Sequence, residues 1–188
     1  MEYIQINEEC GYFSSAVNIG YIRHGGQGLL IDSGIDKSAA KKVLKHLDAE
    51  NLPADHLLVT HGHVDHYGGA AVLKRERGLK VHAPLLENAF LEYPVLEPIY
   101  LWNGAFPLSE LRNKFLEGEA VQPDRLLQEG TADFGAIQLE LVSLPGHSYA
   151  QLAPLYKGIL FAGDAYFGTE TLNKHIVPFI VDANGALS

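Results

Sequence analysis

Apolar residues recur along the chain in two patterns, and the difference between them predicts a mixed α/β protein. Short apolar or alternating runs predict β-strands at residues 17–22, 29–32, 56–61, 80–84 and 136–143. Helical spacing follows Asp36, which can cap a helix with a buried face made of Ala40, Val43, Leu44 and Leu47. A second helix is expected at residues 68–78, closed by Gly78.

The second half of the chain is less regular. Residues 85–130 are rich in proline and aromatic residues, and only one helix, near Ser109 to Leu116, is expected there. Further on, QLAPLY (151–156), KG and ILFAGDA (159–165) predict a β-hairpin with a tight turn. Strands interspersed with helices and hairpins indicate a mixed sheet covered by helices. We expect one domain, 1–188, with an irregular lid-like insertion at about 85–130.

Composition and charge exclude several classes of function. The formal net charge is −9, with 23 acidic and 14 basic residues, which argues against nucleic acid as a partner. No apolar stretch is long enough for a membrane span, and the acidic start MEYIQINEEC does not resemble a signal peptide. Because Cys10 is the only cysteine, a reducing compartment is expected, with the cytoplasm as the default.

A histidine cluster stands out at residues 59–69, VTHGHVDHYGG. In an extended segment residues i and i+2 point to the same side, so His61 and His63 can aim at one point. Asp65 and His66 lie in the following turn and can reach a second point close by. Neutral imidazole and carboxylate are both good ligands for zinc and similar divalent ions, so the cluster predicts a metal site.

Two later motifs strengthen this prediction. LPGHS places His147 directly after a strand, and FAGDA places Asp164 at the end of another apolar run. A buried Asp164 carboxylate would be costly without a partner, which a metal ion would supply.

Strand-H-x-H-x-D-H, followed by GH and then GD, resembles the metallo-β-lactamase superfamily, in particular its glyoxalase II-like metal-dependent hydrolases. The resemblance runs from LLIDSG (29–34) through FAGDA. It implies an αββα sandwich of two mixed β-sheets flanked by helices, with a metal site at one edge. The site residues that it implies are His61, His63 and His147 for a first metal, Asp65 and His66 for a second, Asp164 as a bridge between them, and Asp32 as support for a ligand histidine.

The resemblance also implies the chemistry. One or two divalent ions, zinc or alternatively iron or manganese, would lower the pKa of bound water so that hydroxide exists near neutrality. Asp65 would orient that hydroxide and accept its proton. The expected reaction is hydrolysis of an ester, thioester, lactone or amide in a small-molecule substrate.

Other functions stay open at this point. Some relatives of glyoxalase II hold one iron through two histidines and an aspartate and oxidise a persulfide, and His61, His147 and Asp164 could form such a triad. An inactive fragment is a second alternative. A nuclease is disfavoured by the acidic charge, and a flavodiiron-like redox role by His63, where that branch has a glutamate.

Substrate contacts are predicted from the aromatic residues of the irregular segment. The aromatic side chains of this segment, including Phe90, offer apolar walls for a substrate pocket. After GHS the chain departs from the family pattern at Tyr149 and Gln151, so the resemblance does not indicate the substrate. The predicted substrate-binding residues are Tyr93, Tyr100, Trp102, Phe106 and Tyr149.

The end of the chain departs from the family. Members have a further histidine a few tens of residues after the GD aspartate, but here 24 residues follow Asp164, and their one histidine, His175, comes too early. A short helix is expected around His175, and another starting after Asp182. The C-terminal part of the domain is therefore expected to be missing, the second metal to be held weakly, and self-association into a homo-oligomer to be favoured. The remaining histidines, His24, His46, His56, His82 and His175, are expected to be structural or surface residues.

Overall fold

Two β-sheets form the framework of the computed structural model, which describes residues 1–175 and 177–187, with the backbone alone at 111 and 175. The larger sheet has seven strands in sequence order: β1 (Glu2–Gln5), β2 (Cys10–Ser14), β3 (Ile19–His24), β4 (Gln27–Ile31), β5 (His56–Leu58), β6 (Lys80–Pro84) and β7 (Arg125–Leu127). The smaller sheet has the order β11-β10-β9-β8, with β8 (Gly130–Phe134), β9 (Ile137–Ser143), β10 (Leu152–Tyr156) and β11 (Ile159–Leu160).

The larger sheet is mixed. Strands β1 to β4 pair antiparallel, whereas β4 to β7 pair parallel, and the smaller sheet is antiparallel throughout. Helices connect the parallel strands, as parallel pairing requires a crossover. The predicted fold class, two sheets with flanking helices, is confirmed, except that only the larger sheet is mixed, because hairpins and no helical crossovers join the strands of the smaller one.

Two helices cover the outer face of the larger sheet. Helix α1 (Lys37–Ala49) begins where Asp36 Oδ1 accepts hydrogen bonds from the amides of Ser38 and Ala39, at 2.9 and 3.2 Å. Its predicted face of Ala40, Val43, Leu44 and Leu47 is buried. After the short helix α2 (Val64–Tyr67), helix α3 (Ala70–Arg77) ends at Gly78, whose φ of 73° suits glycine. Both predicted helices are confirmed.

A second apolar layer fills the space between the sheets. Its members come from alternate positions of both sheets and include Ile22, Leu29, Ile31, Leu58, Phe134, Ile137, Leu139 and Leu141. The opposite face of the smaller sheet carries exposed polar side chains, for example Thr131, Asp133 and Glu140. This alternation is typical of an antiparallel sheet with one solvated face.

The segment predicted to be irregular contains regular structure. It includes helices α4 (Asn88–Glu92) and α5 (Leu96–Leu101), and its last part enters the larger sheet as β7. The predicted helix from Ser109 to Leu116 is wrong: a single 3₁₀ turn, Ser109–Leu111, is followed by a turn around Asn113. Leu108 and Phe115 are 70% and 62% exposed, so these apolar side chains have no surface on which a helix could be buried.

The C-terminal half otherwise follows the prediction. Strands β10 and β11 form the expected hairpin, turning at Lys157 and Gly158, both with positive φ. Helices α6 (Thr169–His175) and α7 (Ala183–Leu187) follow, and Asp182 Oδ1 accepts a hydrogen bond from the Gly185 amide. Within the described residues, no helix combines the length and apolar character that crossing a bilayer requires.

Candidate metal centre

The predicted site residues meet at one edge of the sandwich, where strands of both sheets end. Asp32 follows β4 and His61 follows β5 in the larger sheet, whereas His147 follows β9 and Asp164 follows β11 in the smaller one. The two sheets are linked here, because the Leu152 amide donates to the Thr60 carbonyl at 3.0 Å. Residues far apart in sequence are thereby brought into one site.

Three imidazole rings converge at this edge. His63 Nδ1 lies 3.1 Å from His61 Nε2 and 2.9 Å from His147 Nε2. Two nitrogens bound to one tetrahedral zinc ion would be about 3.3 Å apart, so these separations are close to those of ligands around a single ion.

The outward nitrogens of two rings determine where their lone pairs point. His147 Nδ1 donates to the Phe179 carbonyl at 2.9 Å. His61 Nδ1 lies 3.1 Å from Thr60 Oγ1, whose own proton is donated to Asp32 Oδ2, so His61 is the donor. Both rings therefore turn an unprotonated Nε2 towards His63. Only His63 Nδ1 can carry a proton between these three facing nitrogens, and one N–H cannot point at both Nε2 atoms. At least one Nε2 lone pair is therefore left without a donor within this trio, an arrangement that suits a cation.

Burial keeps the imidazoles of His61 and His63 neutral. Burial, reinforced by the neighbouring histidines, lowers the pKa of His61 well below its ordinary value and the pKa of His63 to about 3. The neutral ring is the form that binds a metal ion.

A second group consists of His61, His66 and Asp164. His66 Nδ1 donates to Asp32 Oδ2 at 2.7 Å, and its Nε2 lies 3.3 Å from Asp164 Oδ1 without hydrogen-bond geometry. Burial alone would lower the pKa of His66, but the carboxylates of Asp32 and Asp164 outweigh it and raise that pKa well above its ordinary value. The other Asp164 oxygen, Oδ2, lies 3.5 Å from His147 Nε2, so this carboxylate reaches both groups.

Asp65 lies apart from both groups. Its half-buried side chain lines a cavity of about 480 Å³ together with Asp32, His66 and Asp164. Its carboxylate is not one of the converging ligand atoms, and His61 takes the third place in the second group instead. Asp65 is in the first turn of α2, and its predicted role as a ligand stays a prediction.

A smaller cavity of about 200 Å³ opens on the other side of the histidines. It is lined by His63, His147, Leu86, Glu87, Phe90, Tyr100, Ser148, Tyr149 and Val181. Of the predicted substrate contacts, Tyr100 and Tyr149 are in its wall. Tyr93, Trp102 and Phe106 lie outside this wall, and their contact with a substrate stays a prediction. Tyr93 and Phe106 are 61% and 65% exposed, and the Phe106 ring stacks with the Arg112 guanidinium instead.

Sequence reasoning missed two buried glutamates from the segment after β6. Glu87 Oε2 accepts from the Gly62 amide and Glu87 Oε1 from the Ala150 amide, both at 2.9 Å. Glu97 Oε2 accepts from the Val64 amide at 3.1 Å. An acidic residue within an apolar helix was the available signal, since LEPIYL buries Glu97.

Other supports also went unpredicted. The fully buried Gln151 donates from Nε2 to the Ala162 carbonyl at 2.8 Å, two residues before Asp164. The Phe179 ring lies 6.0 Å from His63 and 5.7 Å from His147. The side chain of His175, considered for the second metal, lies outside the described residues. His24, His46, His56 and His82 belong to neither group of ligand atoms.

Known proteins with similar sequences are hydrolases. The chain is 30% identical over 151 residues to hydroxyacylglutathione hydrolase of Methylobacillus flagellatus, which covers 80% of this chain and 47% of that protein. It is 30% identical over 149 residues to hydroxyacylglutathione hydrolase of Aeromonas hydrophila, and this match covers 79% of this chain and 46% of that protein. The chain thus spans about half the length of these curated relatives.

Solved structures share the fold. The subclass B3 metallo-beta-lactamase BJP-1 of Bradyrhizobium japonicum superposes with a TM-score of 0.67 at 23% identity, over 82% of this chain and 56% of that one. The metallo-beta-lactamase GOB-18 of Elizabethkingia meningoseptica superposes with a TM-score of 0.68 at 18% identity, over 83% of this chain and 56% of that one. The sequence profile described as the Metallo-beta-lactamase superfamily matches residues 14–187. Because this profile covers nearly the whole chain, the chain belongs to the metallo-beta-lactamase superfamily.

Proposed function

We propose that this chain carries the catalytic site of a metal-dependent hydrolase that cleaves an ester, thioester, lactone or amide bond. The observation that carries the proposal is the convergence of three imidazoles, with the outward nitrogens of His61 and His147 fixed by hydrogen bonds. A hydrogen-bonded outward nitrogen is typical of histidines that bind metals. The hydrolase class is supported by the relatives named hydroxyacylglutathione hydrolase.

The chemistry of the ligand atoms favours zinc. His61, His63 and His147 would hold a first ion, and Asp164 could reach it from Oδ2. A second ion at His66 and Asp164 would have fewer ligands of its own and should bind more weakly. When bound, zinc supplies an activated water and a Lewis acid for the attacked carbonyl.

Two aspartates near the histidines would assist the reaction, one by accepting a proton and the other by orienting a ring. Asp65 would accept a proton from the attacking water, because its carboxylate lines the larger cavity beside His66 and Asp164. Asp32 would orient the His66 ring through the 2.7 Å bond to Nδ1.

The smaller cavity would bind the apolar part of a small-molecule substrate. Its wall is mainly aliphatic and aromatic, from Leu86, Phe90, Tyr100, Tyr149 and Val181, and it contains no lysine or arginine among the described residues. Both oxygens of Glu87, the one carboxylate there, are already bonded to backbone amides. An uncharged acyl group is therefore favoured over an anionic one.

An activity screen tests the proposal. The zinc- or manganese-loaded protein should hydrolyse at least one of a panel of thioesters, lactones, esters and β-lactams, and His147→Ala should lose that activity. The panel should also include a phosphodiester as a substrate of another class. Metal analysis of protein purified without added metal provides the second arm. Iron near one equivalent, with no hydrolysis, would favour the persulfide oxygenase instead.

Two broader assignments accompany this proposal. Residues 1–188 would act as one metal-binding domain, and the buried lone Cys10 supports a reducing compartment such as the cytoplasm.

A further inference from the structure

Glu87 connects the two loops that carry the histidine cluster. One carboxylate oxygen accepts from the Gly62 amide, between His61 and His63, and the other accepts from the Ala150 amide, three residues after His147. Glu87 is only 2% exposed. A buried carboxylate with both oxygens bonded to amide donors from two loops fixes the distance between those loops.

Glu97 acts on the same loop from the next helix. Its Oε2 accepts from the Val64 amide at 3.1 Å, so the amides on both sides of His63 are bound by glutamates. Val64 begins helix α2, whose first amides have no partner within the helix and whose cap residue, His63, makes no capping hydrogen bond to them with its side chain. Glu97 therefore satisfies a donor that the histidine loop cannot satisfy itself.

The contact between α4 and the histidine loop is also sterically close. A β-carbon at Gly62 would lie 2.7 Å from Phe90 Cδ2 and 2.9 Å from the Glu87 carbonyl oxygen, so only glycine fits without displacement. The same short segment thus forms part of the wall of the smaller cavity, through Phe90, and holds the loop that bears His61 and His63.

We propose that Glu87 and Glu97 are positioning residues for the metal centre: they hold the backbone around His63, and Glu87 ties it to the loop of His147. The inference rests on the proposed metal site but not on the reaction. Neither carboxylate is among the converging ligand atoms. Removing either should weaken metal binding in protein that is still folded.

The test uses zinc affinity, measured by competition with a chromophoric chelator, together with urea unfolding of the metal-free protein. In Glu87→Gln the side-chain NH₂ must face one of the two amide donors, so one bond is lost while the shape is kept. We expect zinc affinity to fall about 10- to 100-fold, as for other residues that support metal ligands. Glu97→Leu, which removes the acceptor, should weaken zinc binding about 10-fold.

Glu92→Gln is the matched control. Glu92 lies at the end of α4, between Glu87 and Glu97 in the chain, and among the described residues its side chain bonds only Asn88 of the same helix. Its substitution should leave zinc affinity within about twofold. The proposal is overturned if Glu87→Gln and Glu97→Leu bind zinc as tightly as the parent, even if they are less stable, since a purely structural role lowers stability alone. If Glu87→Gln does not fold, Glu97→Leu decides by the same criterion. Failure of the parent to bind zinc would instead refute the proposed metal site.

Discussion

Asp32 combines an unusual backbone with a central set of hydrogen bonds. Its φ is 64°, and its buried carboxylate accepts from the Thr60 amide, the Thr60 hydroxyl and His66 Nδ1, at 2.8, 2.9 and 2.7 Å. Left-handed backbone is uncommon for residues other than glycine, asparagine and aspartate. The side chain thus links the loop before His61 to the ring of His66.

Asp32→Asn isolates the carboxylate, because asparagine tolerates the same backbone. In the metal-free protein, the substitution should lower the pKa of His66, since the Asp32 carboxylate helps to raise it. It should also destabilise the fold by about 2 kcal/mol, the scale of hydrogen bonds to a buried charge. NMR titration and urea unfolding measure the two effects. Asp133→Asn, on the solvated face of the smaller sheet, is the control, and an unchanged pKa of His66 would argue against this role.

Tyr100 tests the cavity that is proposed to bind substrate. Its ring lies 6.3 Å from that of Phe90 and 6.2 Å from that of Tyr149, both in the cavity wall. Tyr100→Ala should raise KM for an apolar acyl substrate about 10-fold, with zinc content unchanged, because it removes apolar contact area. Trp102→Ala, two residues further on and outside the wall, should leave KM near the parent value. Equal effects of the two substitutions would show that the segment acts only through packing.

Helix α1 provides a test at the scale of an element. Asp36→Ala removes the acceptor for the amides of Ser38 and Ala39, which should cost about 1 kcal/mol in urea unfolding. Asp36 also pairs with Lys114 at 3.1 Å, so part of the loss could come from that pair. Lys114→Ala separates the two contributions. Because exposed ion pairs contribute little, it should change stability by less than about 0.5 kcal/mol, and a loss as large as that of Asp36→Ala would refute the capping explanation.

The elements that sequence predicted correctly are those with a complete local pattern. α1 has a cap and a periodic apolar face, and the hairpin at Lys157 and Gly158 has a typical turn. The helix predicted near Ser109 has apolar spacing without a surface to cover, which only the tertiary structure reveals. Strands β1 and β2 were missed because the pattern of EYIQ is not strongly alternating and pairing with β3 determines them.

The residues of the candidate site also divide into those that the sequence could predict and those that it could not. The histidines were predictable because metal ligands require particular residue types at particular spacings. Glu87 and Glu97 were not, since their partners are backbone amides, which every residue except proline possesses. The position of Asp65 depends on the turn of α2, which sequence spacing does not determine.

At the scale of the whole molecule, a buried histidine pair at the opposite end of β5 predicts acid sensitivity. His56 Nδ1 lies 3.1 Å from His82 Nε2, and the His82 ring contacts Phe134 between the sheets. Burial, reinforced by His56 and Arg125, lowers the pKa of His82 to about 4. In this pH range the unfolded chain therefore binds more protons than the folded one. The contribution of neutral His82 to the free energy of unfolding is intact above the ordinary histidine pKa of about 6.5 and is lost as pH falls towards 4.

Between pH 7 and pH 5, His82 should account for about 2 kcal/mol of lost stability. His82→Leu should reduce the pH-dependent loss by that amount, measured as the difference between urea unfolding free energies at the two pH values in metal-free protein. His24→Gln is the control, because His24 is exposed beside Glu9. An undiminished loss in His82→Leu would contradict the assignment.

The proposed metal centre would form only in the assembled molecule, because His61 and His63 follow a strand of the larger sheet and His147 follows a strand of the smaller one. Calorimetric titration of the metal-free chain with zinc, comparing the parent with His147→Ala and with His24→Ala, tests this most directly. The parent and His24→Ala should each show one tight equivalent, with any second ion bound more weakly, while His147→Ala should lose at least about 100-fold in affinity for the first ion. Equal zinc affinity in the parent and His147→Ala would contradict the three-histidine centre.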